Sequence, residues 1–272
     1  MSAEKAENPY DRFAEIYGWR FSLPEAAQNK DILFYLALAR EAGGPILELA
    51  CGWGRVMLAL ARAGFEATGV DLSERMLAVG REKMRRDRPE VVARVSFLQG
   101  DMTDLSLPER FPLVLIPFNS LQCLRSVEEQ RRTLACAALH LERGGRLALE
   151  VNAGFRNLAG ETTLQRKWTK RWVERNLTVF AYERVSQDAE NEATLFDMRF
   201  ELADDHGRRQ QVDVCERLLW ASRAKVEHLL REAGLTAVSV FGDFRRRPVA
   251  DPEERLIVVA CRDKEEKQCT YD

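Results

Sequence analysis

The chain has 272 residues, 46% of them hydrophobic and 31% charged, and a formal net charge of −2. That length supports a sizeable core, and the near-neutral balance supplies no global basic field to recruit nucleic acid or an anionic membrane. No run of about 18 apolar residues is present to span a bilayer, and the first residues lack the apolar stretch of a signal peptide. The six cysteines (Cys51, Cys123, Cys136, Cys215, Cys261 and Cys269) are scattered without a Cys-x-x-Cys pair, and only three histidines accompany them. The expectation is therefore reduced thiols, a cytoplasmic location and no metal site.

Residues 8–42 read as helical and aromatic, with Tyr10, Phe13, Tyr17, Trp19 and Phe21 in a first half and an apolar helix over 31–40 in a second. Pro24 divides the two halves, and Gly43-Gly44-Pro45 closes them. The first half suits a cover and the second a packing helix. Residues 46–50 then form a short apolar strand that turns through Gly52 and Gly54 into a helix over 54–63. A second strand over 65–71 ends in Asp71. Ser73 is placed to cap the next helix, which carries Met76, Leu77 and Val79. Strand-like runs follow at 95–101 and 113–120, then a helix over 127–141 and a strand over 146–151. This alternation predicts an α/β fold, a doubly wound, mostly parallel sheet with helices on both faces and ligands outside the carboxyl ends of its strands.

The rhythm breaks after residue 166. Runs at 177–182, 193–200 and 211–214 are β-rich, and Asp-Asp-His-Gly at 204–207 supplies a hairpin turn, so 167–220 is expected to be a small antiparallel insertion. A helix over 222–233, strands at 236–241 and 255–260, and a polar tail expected to be disordered complete the chain. The expected organisation is a helical cover (1–44), a core (45–166 and 221–262), the insertion (167–220) and the tail (263–272).

A glycine loop between strand and helix brings a ligand close to bare backbone, but it does not by itself name the ligand. The dinucleotide fingerprint wants a third glycine three residues after the second; Met57 stands there, and the lysine of a phosphate-binding P-loop is absent. A nicotinamide dinucleotide is disfavoured. Asp71 can accept from both hydroxyls of a ribose, and Asp101-Met102 offers an acceptor followed by an apolar plate. The set suits an adenosine without phosphates.

Here the sequence resembles the class I S-adenosylmethionine-dependent methyltransferases. The matching runs are Leu-Glu-Leu-Ala-Cys-Gly-Trp-Gly (47–54), Gly-Val-Asp-Leu-Ser (69–73) with Met76-Leu77, Gln-Gly-Asp-Met (99–102) and Leu-Glu-Arg-Gly-Gly-Arg-Leu (141–147). The likeness is greatest to small-molecule enzymes such as the sugar-amine and glycine N-methyltransferases, which also carry an inserted antiparallel sheet. The resemblance implies a seven-stranded sheet and S-adenosylmethionine as cofactor, with S-adenosylhomocysteine as product. It implies that Ala50 and Gly52 approach the methionine part of the cofactor and that Glu48 orients the loop. Asp71 would hold the ribose, with Leu72 and Met76 beside the adenine, Asp101 on the adenine amine and Met102 against its face. Phe118 would line the sulfonium region, and Tyr17 would close over the methionine end. Two departures stand out: Trp53 where the family commonly has a small residue, and Gly18 where it tends to have aspartate.

Methyl transfer from a sulfonium is an in-line displacement in which holding the reactants together supplies much of the acceleration. A hydroxyl acceptor needs a base more urgently than an amine does. The absence of an obvious base in the sequence fits N-methylation of a small molecule; O-methylation and a non-catalytic cofactor-binding role are the alternatives. The fourth-strand motif, Ile-Pro-Phe-Asn-Ser-Leu (116–121), is not the one used on nucleobase amines, which argues against nucleic-acid substrates. One contrary signal is the basic run Arg166, Lys167, Lys170, Arg171 and Arg175 with Trp168 and Trp172 interleaved, which reads either as an anionic-ligand patch or as a solvated face. Asn119, Gln122, Asn152, Trp168 and Arg217 are the acceptor-site candidates, with no catalytic residue assigned. Oligomeric state has no signature in the sequence.

Overall fold

The computed structural model describes residues 8–22, 30–251 and 255–262. The expected tail and the Pro24 break lie outside those residues. Two helices come first, α1 (Pro9–Arg20) and α2 (Lys30–Ala42), followed by β1 (Ile46–Leu49), α3 (Arg55–Arg62), β2 (Ala67–Asp71), α4 (Glu74–Met84), the short α5 (Pro89–Val92), β3 (Val95–Gln99), β4 (Phe111–Ile116), α6 (Val127–His140) and β5 (Leu141–Asn152). Strands β6 (Gln165–Trp172), β7 (Leu177–Asp188), β8 (Ala193–Asp204) and β9 (Arg209–Leu219) come next. The chain then returns through α7 (Arg223–Glu232) to β10 (Leu235–Phe241) and β11 (Arg255–Arg262).

Seven strands form one sheet in the order β10-β11-β5-β4-β1-β2-β3, parallel except where β11 runs against β5 and β10. Strand order reverses between β1 and β4, so a crevice opens at their carboxyl ends, where such sheets take their ligands. The central strands β1 and β4 are buried almost throughout, as strands covered on both faces must be. One apolar cluster lies under α6 and α7 and the other under α2 and α3.

Helix boundaries follow the capping residues. Ser73 Oγ accepts from Met76 N at 3.0 Å, and Ser126 and Ser222 cap α6 and α7 in the same way. Asn8 caps α1, with Pro9 at its first position. The missing third glycine has a structural account. Met57 is fully buried, and its bulk is accommodated by Gly69 on β2, where an added Cβ would stand 2.1 Å from Met57 Sδ and 2.7 Å from Cys51 Sγ.

The remaining strands form a separate antiparallel sheet, β6-β7-β8-β9. The sequence reading placed only three β-rich runs here; the fourth strand is the basic run itself. Its charges mask the alternation, and a bulge between Arg166 and Trp168 shifts the period by one. Trp168 and Trp172 face α1, with Trp19 stacked on Trp172 at 4.8 Å. Lys167 pairs with Glu161, Arg171 with Asp205 and Arg175 with Glu15 of α1, while Lys170 falls on the same face as the two tryptophans. Three of the five cations are thus engaged in ion pairs within the chain, which fits a structural role better than an open anionic-ligand patch.

Helix α1 lies across the inner face of this sheet and against α4. Asp11 accepts from Ser73 Oγ at 2.5 Å, and Phe13 stacks on Phe200 of β8. Gly18 is explained by that packing, since an added Cβ would meet Val79 Cγ1 at 2.6 Å. Trp53 belongs to the same contact. It is buried, with Lys83 Nζ 5.0 Å from its ring centroid, and it faces α1 and α4.

Candidate active site

The glycine loop follows β1 in a conformation that its sequence makes affordable. Ala50, Gly52 and Gly54 all have positive φ, at 56°, 55° and 78°. A Cβ on Gly52 would meet only Met76 Cε, at 4.0 Å, so the backbone there faces open space of the kind a ligand needs. Asp71, at the end of β2, clamps the loop: Oδ2 accepts from Gly52 N at 2.7 Å and Oδ1 from Ser73 N at 2.8 Å. Burial raises the Asp71 pKa, and the two backbone donors oppose that rise. Each carboxylate oxygen keeps an acceptor site for a hydroxyl.

Glu48 lies buried under the loop. Burial pushes its pKa up to about 8, against the pull of Arg55 and of a hydrogen bond from the Met57 backbone, and Oε2 has no partner among the described residues. Arg55, at the start of α3, is locked to Asp31 of α2 by a two-point ion pair, and its guanidinium carbon stands 5.9 Å from the Phe118 ring centroid.

The other expected cofactor residues follow the carboxyl ends of β2, β3 and β4. Leu72, just past β2, is 55% exposed and Phe118, just past β4, is 42% exposed. Exposed apolar side chains flanking bare backbone are surface that an adenosyl ligand would cover. Met76 is buried beside them. Asp101 is exposed beyond β3, with Oδ1 accepting from Thr103 N at 2.8 Å, and Met102 packs against the core. Phe118 N donates to Glu150 Oε2 at 3.0 Å, which fixes the left-handed turn at Phe118 and Asn119.

A cavity of about 240 Å³ opens between α1 and the inner face of the antiparallel sheet. Tyr17, Phe21 and Phe118 form one wall, joined by the edge-on contact of Phe21 and Phe118 at 5.2 Å; Trp168, Met198 and Phe200 form another. Tyr17 is held by Tyr10, Phe13 and Phe21, and burial raises its phenol pKa well above the usual range.

Among the acceptor candidates, Trp168 lines this cavity, and Asn119 keeps a buried Oδ1 without a partner among the described residues. The other three are occupied elsewhere. Gln122 is fully buried and bridges Asn152 N and O and Leu219 O, at 2.7, 3.1 and 2.8 Å. Asn152 turns its side chain onto Gly154 N. Arg217 alternates to the outer face of β9 and donates to the carbonyls of Arg125 and Asn191. Gln122 thereby ties β5 of one sheet to β9 of the other. His140, expected at a helix end, accepts from Leu107 N at 2.9 Å.

The sequence reading missed Glu216 and Arg20. Along β9, Val212, Val214, Glu216 and Leu218 fall on one face, so Glu216 interrupts an apolar register. That interruption was the available signal. Tyr10 Oη donates to Glu216 Oε1 in a short hydrogen bond, and Cys123 Sγ lies 4.0 Å from the same oxygen. Burial raises the Glu216 pKa, and Tyr10 opposes it.

A crevice at the strand-order reversal, with a glycine backbone open to ligand and an acid on the next strand, is the arrangement that the resemblance to the class I S-adenosylmethionine-dependent methyltransferases implies. Residues 46–145 match the methyltransferase domain family, and the chain is an S-adenosylmethionine-dependent methyltransferase. It is 25% identical over 273 residues to the glycine/sarcosine N-methyltransferase of Aphanothece halophytica, covering 96% of this chain and 90% of that protein. It is 30% identical over 125 residues to the dTDP-3-amino-3,4,6-trideoxy-alpha-D-glucopyranose N,N-dimethyltransferase of Streptomyces venezuelae, covering 46% and 49%. The structure of the CcbJ methyltransferase from Streptomyces caelestis aligns with a TM-score of 0.75 at 25% identity, over 94% of this chain and 98% of that one.

Proposed function

We propose that the chain N-methylates a small-molecule amine, with the acceptor bound in the cavity between α1 and the antiparallel sheet. The observation that carries this reading is the position of Phe118: it follows β4 at the cofactor crevice and also lines the cavity, so the two spaces meet at one side chain. The likeness to glycine/sarcosine N-methyltransferase runs through both sheets, and that to the amino-sugar enzyme covers under half the chain. Both proteins are named for nitrogen acceptors. The cofactor supplies an electrophilic methyl on a good leaving group. Asp71, Gly52, Leu72, Met76, Asp101 and Met102 hold its adenosyl part, and Tyr17 and Phe118 exclude water from its sulfonium end. A cytoplasmic setting accords with the scattered thiols.

Assaying S-adenosylhomocysteine release against matched amines and alcohols tests the reading. Turnover confined to amines is expected; turnover on hydroxyls alone would replace it with O-methylation.

A further inference from the structure

Two polar groups in this cavity have unused hydrogen-bonding capacity, and they carry opposite charge. Arg20 Nη1 is buried without a partner among the described residues, while its guanidinium carbon stands 5.3 Å from the Trp168 ring centroid. A stacked guanidinium keeps its in-plane donors, which match an oxyanion. Glu216 engages Tyr10 and Cys123 through Oε1, and its Oε2 accepts no hydrogen bond among the described residues. Both side chains line the cavity. Lys167 and Glu183 also line the cavity, and both Glu183, at 3.6 Å, and Glu161, at 3.0 Å, are engaged by the Lys167 ammonium.

The fold sets the two groups apart. Arg20 and Tyr10 are ten residues apart, near opposite ends of α1 and on either side of a kink at Phe13. Their contacts lie on the two edge strands, β6 and β9, which three inter-strand steps separate by about 14 Å. Arg20 therefore marks one end of the space and Glu216 the other, with Tyr17, Phe200 and Met198 between them.

We infer that the cavity recognises a small molecule carrying both an amine and an oxyanion such as a carboxylate, the amine at Glu216 and the oxyanion at Arg20. This assignment rests on the amine-methylating reading above. The acceptor enters as an ammonium ion. One N–H bond breaks, the proton passes to Glu216 Oε2, and the electron pair stays on nitrogen, ready to attack. Tyr10 donating to Oε1 favours the ionised carboxylate against the effect of its burial, and the aromatic walls favour the cation and the apolar body. Buried, unpaired groups of this kind also reject analogues that leave them unpaired.

The test measures binding to the S-adenosylhomocysteine complex by calorimetry. Two scaffolds set different spacings between the charges: phenylalanine, and 4-(aminomethyl)benzoate. Each is compared with its hydroxy acid (3-phenyllactate, 4-(hydroxymethyl)benzoate) and its carboxylate-free amine (2-phenylethylamine, benzylamine). For at least one scaffold the zwitterion should bind tenfold or more tightly than both analogues. Glu216→Gln should abolish its advantage over the hydroxy acid, and Glu216→Asp should restore part of it. Arg20→Gln should abolish its advantage over the plain amine, and Arg20→Lys should restore part of it. Retained S-adenosylhomocysteine binding identifies folded variants. No preference in the wild type, no binding of either scaffold, or preferences surviving in both Gln variants would overturn the assignment. Amine turnover with those preferences unchanged sinks this inference alone, whereas turnover on hydroxyls alone sinks the amine reading beneath it.

Discussion

Asp71→Ala is the most informative single perturbation of the cofactor crevice. The carboxylate does two things in the structure: it receives Gly52 N and Ser73 N at 2.7 and 2.8 Å, and it leaves acceptor sites for a diol. Removing it takes a charged acceptor from the ligand and releases the loop. Hydrogen bonds to a charged group are worth about 1.5–3 kcal/mol net. The loss on the ligand side should therefore weaken S-adenosylhomocysteine binding by about 10- to 150-fold. Asp71→Asn keeps an oxygen for one backbone donor and should fall between wild type and alanine. Titration calorimetry at neutral pH measures both. Because burial raises the Asp71 pKa, wild-type affinity should also fall as the pH is lowered through that raised value, and the Asn variant should lack this fall. An Ala variant within twofold of wild type would refute the ribose role.

Further outcomes follow from packing and burial. Gly18→Ala places a methyl 2.6 Å from Val79 Cγ1 and should cost about 1–3 kcal/mol in denaturant melts; an unchanged midpoint would show that α1 and α4 separate freely. Gln122→Ala strands the backbone groups of Asn152 and Leu219 and should cost about 2–3 kcal/mol, as read from the urea midpoint. Glu48 has a folded pKa of about 8, above its unfolded value, so the folded chain binds its proton more tightly between about pH 4.5 and 8. That contribution is complete at the acid end and is lost as the pH rises through 8. Denaturation at pH 5 and pH 8.5 should show wild type losing more stability than Glu48→Gln; parallel losses would show that Glu48 is not the titrating group.

The parts of the fold that were legible in the sequence are those fixed locally. The turn from Leu49 to Gly54 needs positive φ where glycines stand, the Ser73 cap needs only its own helix, and Asp71 is placed by the end of its strand. What escaped depends on partners far away in the chain. Strand β6 was hidden because its charges outnumber its tryptophans, with Lys170 on the same face as both, and it declares itself only against β7 and α1. Gln122 and Asn152 looked like site residues because polar side chains after strands often are. In the structure Gln122 donates to the Leu219 carbonyl, 97 residues further along, and Asn152 accepts from Gly154 N. Trp53 looked like an intruder in a ligand loop and is instead the loop's grip on α1 and α4.

The contact between Met57 and Gly69 bears on how such loops are recognised at all. A fingerprint counts glycines along one stretch of chain, but the physical requirement is that helix and strand approach within a fixed distance. Here the small residue sits on the neighbouring strand and the large one on the helix, so the allowance of space is unchanged and only its address differs. The two positions hold one piece of information between them. Enlarging Gly69 should be tolerated only in a chain whose Met57 has been trimmed and whose Cys51 thiol, 2.7 Å from the added Cβ, has room to turn away, and a search that scores any one of these positions alone will misjudge it.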